Sequence, residues 1–202
     1  MELNNTELAE IVSTRTCHDL IGCIGSLGNI VELIAAEEGA LDGEMRGLLC
    51  EISTLLSARQ KLFRIAFGLD TKAHDKDELF KICQDYVNTL CSHGEKIELE
   101  LQNATPQLSK MICLCVMIAS DVFIKGGKIT IAVNKDNITI AAKSDYKFNE
   151  GELVAYKNIL EGRKTEDNIS KYAQLYYLIA WLGKNVPIKL EAAVGQMQII
   201  IG

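Results

Sequence analysis

An apolar seam near the start of the chain constrains its fold more than any other feature of the sequence. Its members recur at alternating spacings of three and four residues, which places them on one helix face: Cys17, Leu20, Ile24, Leu27, Val31 and Ile34. A second apolar stripe runs from about Gly43 to Phe67, and the acidic stretch Glu37–Gly43 between them is suited to a turn. The pattern therefore predicts an antiparallel helical hairpin.

Two helices cannot by themselves bury a seam of this width. Pairing of two copies into a four-helix bundle would cover it, so we expect a homodimer. The alternative is that the hairpin packs against the remainder of its own chain. The sequence leaves both arrangements open.

The distribution of charge changes after the predicted hairpin. Residues 1–70 hold 5 basic and 11 acidic side chains, whereas residues 71–202 hold 16 of each. A composition break at Gly68–Asp75 predicts a domain boundary, with a helical hairpin over 1–70 and a second domain over 75–202.

In this second domain, helical and alternating segments mix. We expect helices near 77–92, 105–124, 149–161 and 168–184, and strands near 96–102, 128–134, 137–142, 187–194 and 197–201. One sheet with helices on one face is a two-layer α/β sandwich, so the fold class is α+β.

Composition argues against several kinds of partner. A net charge of −6 without a cluster of Lys and Arg disfavours nucleic acid and anionic membranes. The apolar run Met111–Ile124 is the longest candidate span that we recognise, and it is too short to cross a bilayer. The seven cysteines include no C-x-x-C pair and lie mostly in apolar periodic segments. We therefore expect no metal site and, because no signal peptide is recognised, a cytoplasmic protein.

His18 is the histidine most suited to chemistry. It lies one position off the seam and should face solvent, with Arg15 one turn before it and Asp19 beside it; His74 and His93 are expected to be exposed and structural. A carboxylate on one imidazole nitrogen leaves the lone pair of the other free as a nucleophile, and a guanidinium could neutralise a phosphoryl group. A lone exposed histidine is more often incidental, so a non-catalytic dimeric interaction module stays open.

Three glycines follow at spacings of three: Gly22, Gly25 and Gly28. Each costs a helix about 1 kcal/mol relative to Ala. A bare helix surface beside His18 would let another protein approach closely. Alternatively, the glycines permit close helix packing or mark a break in the helix.

The segment Ser13–Gly22, STRTCHDLIG, resembles the phosphoacceptor helix of two-component signalling proteins. More closely, Arg-x-Cys-His-Asp-Leu-Ile before a glycine-rich stretch is similar to the ChpT family of bacterial histidine phosphotransferases. That family joins a two-helix dimerisation segment to a degenerate sandwich like the ATPase domain of histidine kinases, so the resemblance covers the whole chain, helped by Ala173–Tyr177. Cys23 stands where the family is expected to have proline, which puts a helix bend after His18 in doubt.

The resemblance implies a homodimeric phosphocarrier of a multistep phosphorelay. His18 would accept a phosphoryl group from the receiver domain of a hybrid kinase and pass it to response-regulator receivers. Asp19 would orient the imidazole, and Arg15 would contact the phosphoryl group or the receiver. No cofactor is expected in this chain, since the receiver would supply Mg²⁺.

Receivers dock largely through apolar patches near the acceptor histidine. Ile21, Gly22 and Gly25 are candidates for the floor of such a docking groove. The degenerate sandwich would either offer a second docking surface or only stabilise the bundle, and both possibilities stay open.

An ATP-dependent histidine kinase with unusual nucleotide boxes is the alternative function. Such a domain would need an Asn on the helix at 107–123, a glycine motif within Lys143–Glu152 and a glycine-rich lid before the last helix. There is no such Asn, the second segment has the single glycine Gly151, and Arg163–Leu182 has none. Because backbone amides of glycine-rich loops cradle phosphates, ATP binding is not expected.

Overall fold

The computed structural model describes residues 3–36, 43–69, 74–91, 95–123, 125–134, 137–163, 169–183 and 186–202. The predicted helical hairpin is present as α1 (Asn5–Ala36) and α2 (Gly43–Phe67). The Asn4 side chain begins α1 by accepting hydrogen bonds from the backbone N–H groups of Thr6 and Glu7. In return, the Glu7 carboxylate accepts from the Asn4 N–H, which completes a capping box. The predicted turn at 37–42 lies outside the described residues.

The second part is the predicted mixture of helices and strands. It contains α3 (Lys76–Asn88), β1 (Ile97–Gln102), α4 (Ser109–Ser120), β2 (Gly127–Val133), β3 (Ile138–Lys143), α5 (Glu150–Leu160), α6 (Ala173–Leu182), β4 (Ile188–Ala193) and β5 (Gln196–Ile201). Short 3₁₀ turns at Pro106–Leu108 and Ile169–Tyr172 precede α4 and α6. These two helices therefore begin later than the sequence pattern predicts.

The five strands form one sheet in the order β1-β2-β3-β5-β4. The β1–β2 pair is parallel and the other pairs are antiparallel. In the central strands, Ile131 lies opposite Ile140, which lies opposite Ile199. All three are buried, and the intervening residues are less so, as expected for a sheet covered on one face.

Helix α4 lies at the centre of the main core, where every one of its residues except Lys110 is buried. The core also includes Ile11 of α1 and the last turns of α2, from Leu62 to Ala66. This end of the hairpin therefore packs against the sandwich of its own chain. That is the second of the two arrangements that the sequence leaves open. Farther along the hairpin, Cys23, Ile30 and Ile52 form a separate small core.

The N-terminal seam is only partly covered within one chain. Leu20, Leu27 and Ile34 pack against the two cores and are half-buried. Ile24 and Val31 keep 50% and 55% of their surface exposed, and Cys17 on the same row is also exposed. One row of the heptad pattern is therefore used inside the chain, and the other faces solvent.

His74 corrects one prediction. The expectation that it is exposed is wrong, because it is buried with its Nδ1 3.2 Å from Oε2 of Glu78. It occupies the position before Asp75, whose side chain caps α3, and a side chain there packs back against the first helical turn. His93 lies outside the described residues.

A second difference from the sequence prediction concerns the longest apolar segment that could span a membrane. Among the described residues, the helix segment Asn5–Ala35 is long and apolar enough to span a bilayer, so Met111–Ile124 is not the longest candidate. Length and composition are weak indicators, because a helix that contributes to a protein core passes the same test. This helix also carries Arg15 and Asp19, which contact the rest of the chain.

Candidate functional site

His18 projects from α1 into solvent, as its position beside the seam predicts. Its side chain is 79% exposed, and its Nδ1 lies 3.2 Å from Oδ1 of Asp19. With Asp19 ionised, this contact assigns the proton of the neutral imidazole to Nδ1. The lone pair of Nε2 is then available to an electrophile on an approaching molecule.

Asp19 is itself held by two arginines. Its Oδ2 accepts a hydrogen bond from Nε of Arg15 at 2.6 Å, one turn earlier on the same helix. Its backbone carbonyl accepts from the guanidinium of Arg59 on α2. Neighbouring residues on a helix point about 100° apart, so the contact between His18 and Asp19 needs a defined rotamer. The bond from Arg15 supplies that constraint.

Arg15 is largely buried and does not project towards solvent. Its Nη2 lies 3.3 Å from Oδ1 of Asp121, and its Nη1 donates to the backbone carbonyl of Lys171 at 2.5 Å. Burial opposes its charge, but Asp121 and Asp19 outweigh that effect and raise the pKa of Arg15 above its ordinary value. The guanidinium predicted to meet a phosphoryl group or a receiver is thus already engaged by two carboxylates.

Asp121 connects this arrangement to the sandwich. It follows the last residue of α4, and its Oδ2 accepts from the hydroxyl of Tyr156 at 2.6 Å and from the amide of Gln174. Burial raises the pKa of Asp121, and the charge of Arg15 acts in the opposite direction. Burial and the nearby carboxylate also raise the pKa of Tyr156, so its hydroxyl remains a donor.

A cavity of about 360 Å³ lies beside His18. It is lined by Arg15, His18, Asp19, Asp121, Ser170 and Lys171. The ammonium of Lys171 pairs with the buried carboxylate of Glu152. A larger surface hollow, of about 560 Å³ and bordered by Lys96 and Lys143, shares no residue with it. Of the two, only the smaller cavity is lined by a histidine.

The three predicted docking residues lie on the same open helix. Ile21 is 64% exposed, and a Cβ added at Gly22 or Gly25 would meet no heavy atom within 4 Å. Helix α1 is continuous through these positions, including Gly28 and the buried Cys23. Neither a helix break nor close packing within the chain therefore accounts for the glycines.

The structure brings together the predicted residues His18, Asp19 and Arg15. The sequence does not single out Asp121, which contacts Arg15, or its partners Tyr156 and Gln174. The available signal was the acidic residue at the end of the apolar segment 111–124. In the sequence, this residue, Asp121, is only an interruption of the apolar run Met111–Ile124. Its partners are remote in sequence, and no local periodicity brings them together.

Comparisons with known proteins agree with the resemblance noted in the sequence. No protein-family model matches the chain. It is 26% identical over 136 residues to protein phosphotransferase ChpT of Brucella abortus (strain 2308), covering 64% of this chain and 62% of that protein. The predicted similarity to ChpT is confirmed, although the match spans less than two thirds of the relative's length.

The fold is also similar to that of a solved structure. A bacterial phosphotransferase matches with a TM-score of 0.78 and 21% identity, over 100% of this chain and 98% of the other. This likeness confirms the predicted α+β fold. The Acinetobacter baumannii histidine kinase AdeS matches with a TM-score of only 0.42 and 13% identity, over 91% of this chain and 95% of its own. This structural similarity is too low to support any conclusion about nucleotide binding.

Proposed function

We propose that this chain is a histidine phosphotransfer protein of a multistep phosphorelay, with His18 as the phosphoacceptor. The observation that carries the proposal is the exposed imidazole whose Nδ1 faces the Asp19 carboxylate at 3.2 Å. The similarity to phosphotransferase ChpT supports it independently. A buried histidine could not reach a receiver domain, and an unoriented one would not keep the lone pair of Nε2 free for attack.

The chemical step follows from this orientation. The Nε2 lone pair attacks the phosphorus of an aspartyl phosphate on a receiver domain, the P–O bond to the receiver's carboxylate breaks, and that carboxylate leaves with the bonding electrons. The proton on Nδ1 stays directed at Asp19, whose negative charge balances the phosphoimidazolium. Attack by the aspartate of a second receiver reverses the step and restores the neutral imidazole.

Beyond the attack by His18, this chain contributes mainly the positioning of the reacting groups. The receiver would supply Mg²⁺, and we propose no cofactor for the chain itself. The donor would be the receiver of a hybrid histidine kinase, and the acceptors would be response regulators in the cytoplasm. Ile21, Gly22 and Gly25 offer them an apolar, unobstructed surface beside the imidazole.

A second copy of the chain would cover the solvent-facing row of the seam. Ile24 and Val31 on α1 and Leu48 on α2 are large apolar side chains with 44–55% of their surface exposed. Ile24 and Val31 lie on one row of α1, and exposed apolar residues that recur along one helix face can mark an interaction site. Pairing two hairpins along it would form a four-helix bundle, and we therefore propose a homodimer.

The experiment separates a carrier from a kinase. A receiver domain bearing a ³²P-labelled aspartyl phosphate is mixed with the purified chain, and a parallel sample receives labelled ATP alone. We expect label to move from the receiver to the chain and no labelling by ATP. Self-labelling from ATP would contradict the carrier assignment and favour a histidine kinase. If no receiver from the source organism donates its label, the phosphotransfer assignment is wrong.

A further inference from the structure

An unbroken series of polar contacts runs from inside the sandwich to the surface imidazole. Tyr156 and Gln174 contact one oxygen of Asp121, whose other oxygen lies 3.3 Å from Arg15. Arg15 donates to one oxygen of Asp19 at 2.6 Å. The other oxygen of Asp19 faces Nδ1 of His18 at 3.2 Å.

The inner end of this series is rigidly held. Gln174 is fully buried, and its amide nitrogen is also 3.0 Å from the Tyr156 hydroxyl, so three polar groups fix one another. Asp121 ends α4, whose residues fill the main core. A carboxylate anchored in this way can orient a guanidinium, whereas the solvent-exposed face of α1 alone could not.

Arg15 needs both carboxylates to keep this geometry. Its side chain is only 11% exposed, so the two acidic groups and one carbonyl replace the water that would otherwise solvate the cation. Removing the charge of Asp121 would leave Asp19 as the single counter-ion among these partners. The Asp19 carboxylate would then shift towards Arg15, and its bond to His18 would weaken.

We propose that Asp121 is a positioning residue for His18, acting through Arg15 and Asp19 to hold the proton on Nδ1 and the nucleophilic lone pair on Nε2. The inference rests on the proposed function only for the role of His18 as phosphoacceptor. It gives the sandwich a part in the reaction beyond stabilising the bundle. The same groups that mediate between the two parts of the chain set the tautomer of the nucleophile.

The first test reads the imidazole directly and involves no phosphoryl transfer. ¹⁵N–¹H correlation spectra distinguish the two neutral tautomers of His18, which is one of only three histidines. We expect the Nδ1–H tautomer to predominate in the unsubstituted protein and a clear rise of the Nε2–H tautomer in Asp121→Asn. Tyr156→Phe, which retains the charge of Asp121 but removes one anchor, should shift the same equilibrium less. The proposal is overturned if folded Asp121→Asn, or Tyr156→Phe should the former not fold, leaves the tautomer unchanged.

The second test measures nucleophilicity without a protein partner. Phosphoramidate donates its phosphoryl group to Nε2 as its P–N bond breaks and ammonia leaves. We expect Asp121→Asn to slow this reaction about tenfold, which is the lower end of the loss caused by removing a group that orients a metal-ligating histidine. Ile118→Val, a buried change on the same helix, is the control for loss of packing alone and should react at the original rate.

A double-substitution cycle tests the route through Arg15. If Asp121 acts through the guanidinium, adding Asp121→Asn to Arg15→Met should slow the reaction less than twofold further. Full multiplication of the two effects would overturn the proposed route. Failure of the phosphorelay assignment is distinguishable, because a shift of the tautomer without any transfer from receivers would contradict that assignment and leave the positioning role intact.

Discussion

Substitution of Ile24 by glutamate tests the proposed homodimer. Ile24 projects from α1 on the row that the hairpin leaves uncovered, and half of its surface is exposed in the single chain. If a second copy covers this row, the substitution places a carboxylate in the interface of both protomers. The acidic excess of residues 1–70 adds to the repulsion between the two copies.

The expected loss of dimer affinity follows from the exposed fraction of the Ile24 side chain. Full burial of an isoleucine side chain contributes about 1.5–3 kcal/mol, so covering the exposed half of Ile24 contributes about 1 kcal/mol per copy. In a twofold-symmetric dimer the residue occurs once on each side of the interface, so the total loss is about 2 kcal/mol. A loss of this size weakens dimerisation about 30-fold. Desolvation of the new carboxylate increases the loss, so 30-fold is a lower bound.

Sedimentation velocity over a concentration series measures this equilibrium. The unsubstituted protein should sediment as a species of twice the 22.3 kDa mass of one chain, and Ile24→Glu should dissociate at concentrations where the former stays dimeric. Asn29→Glu is the matched control, because it adds the same charge to an exposed position on another face of α1. Equal self-association of Ile24→Glu and the unsubstituted protein would refute the reasoning, as would an unsubstituted protein that is monomeric at every concentration.

Asp19→Asn should slow acceptance of a phosphoryl group from a receiver at least tenfold, because the amide no longer fixes the imidazole tautomer; an unchanged rate in a rapid-quench assay would contradict this role. Tyr156→Phe removes a hydrogen bond to the largely buried Asp121 and should lower the free energy of unfolding by about 1.5–3 kcal/mol, measured by urea denaturation. A midpoint equal to that of the unsubstituted protein would show that this bond is not stabilising. Burial raises the pKa of the Cys115 thiol, so iodoacetamide should leave it unmodified in the native protein while alkylating the exposed Cys50, as mass spectrometry can resolve. Modification of both at similar rates would contradict the packing of α4.

Local pattern accounts for most of the fold. Alternation in segments such as Ile129–Val133 predicts strands because one face of the sheet is buried and the other is not. The regular spacing of Leu20, Leu27 and Ile34 predicts the hairpin for a similar reason. Helix starts are less predictable, because the sequence pattern does not separate the 3₁₀ turns at Pro106–Leu108 and Ile169–Tyr172 from α4 and α6, which follow them.

The outer part of the site is also local in sequence. His18, Asp19 and Arg15 lie within five residues. Helix geometry places Arg15 and Asp19 one turn apart on one face, and the adjacent His18 meets Asp19 through its rotamer. Asp121 contacts Arg15 across a separation of 106 residues, and no sequence period encodes that pairing. His74 shows the same limit, because a polar residue before a helix is buried or exposed according to what the helix packs against.

The central claim is that His18 carries the phosphoryl group between receivers. The most direct measurement is site mapping by mass spectrometry after incubation with a phosphorylated receiver domain, on the unsubstituted chain and on His18→Ala. We predict one phosphoryl group on His18, and none on His18→Ala, with the same dimer mass and the same unfolding midpoint for both proteins. Phosphorylation of His18→Ala to the same extent, or mapping of the group to another residue, would contradict the account.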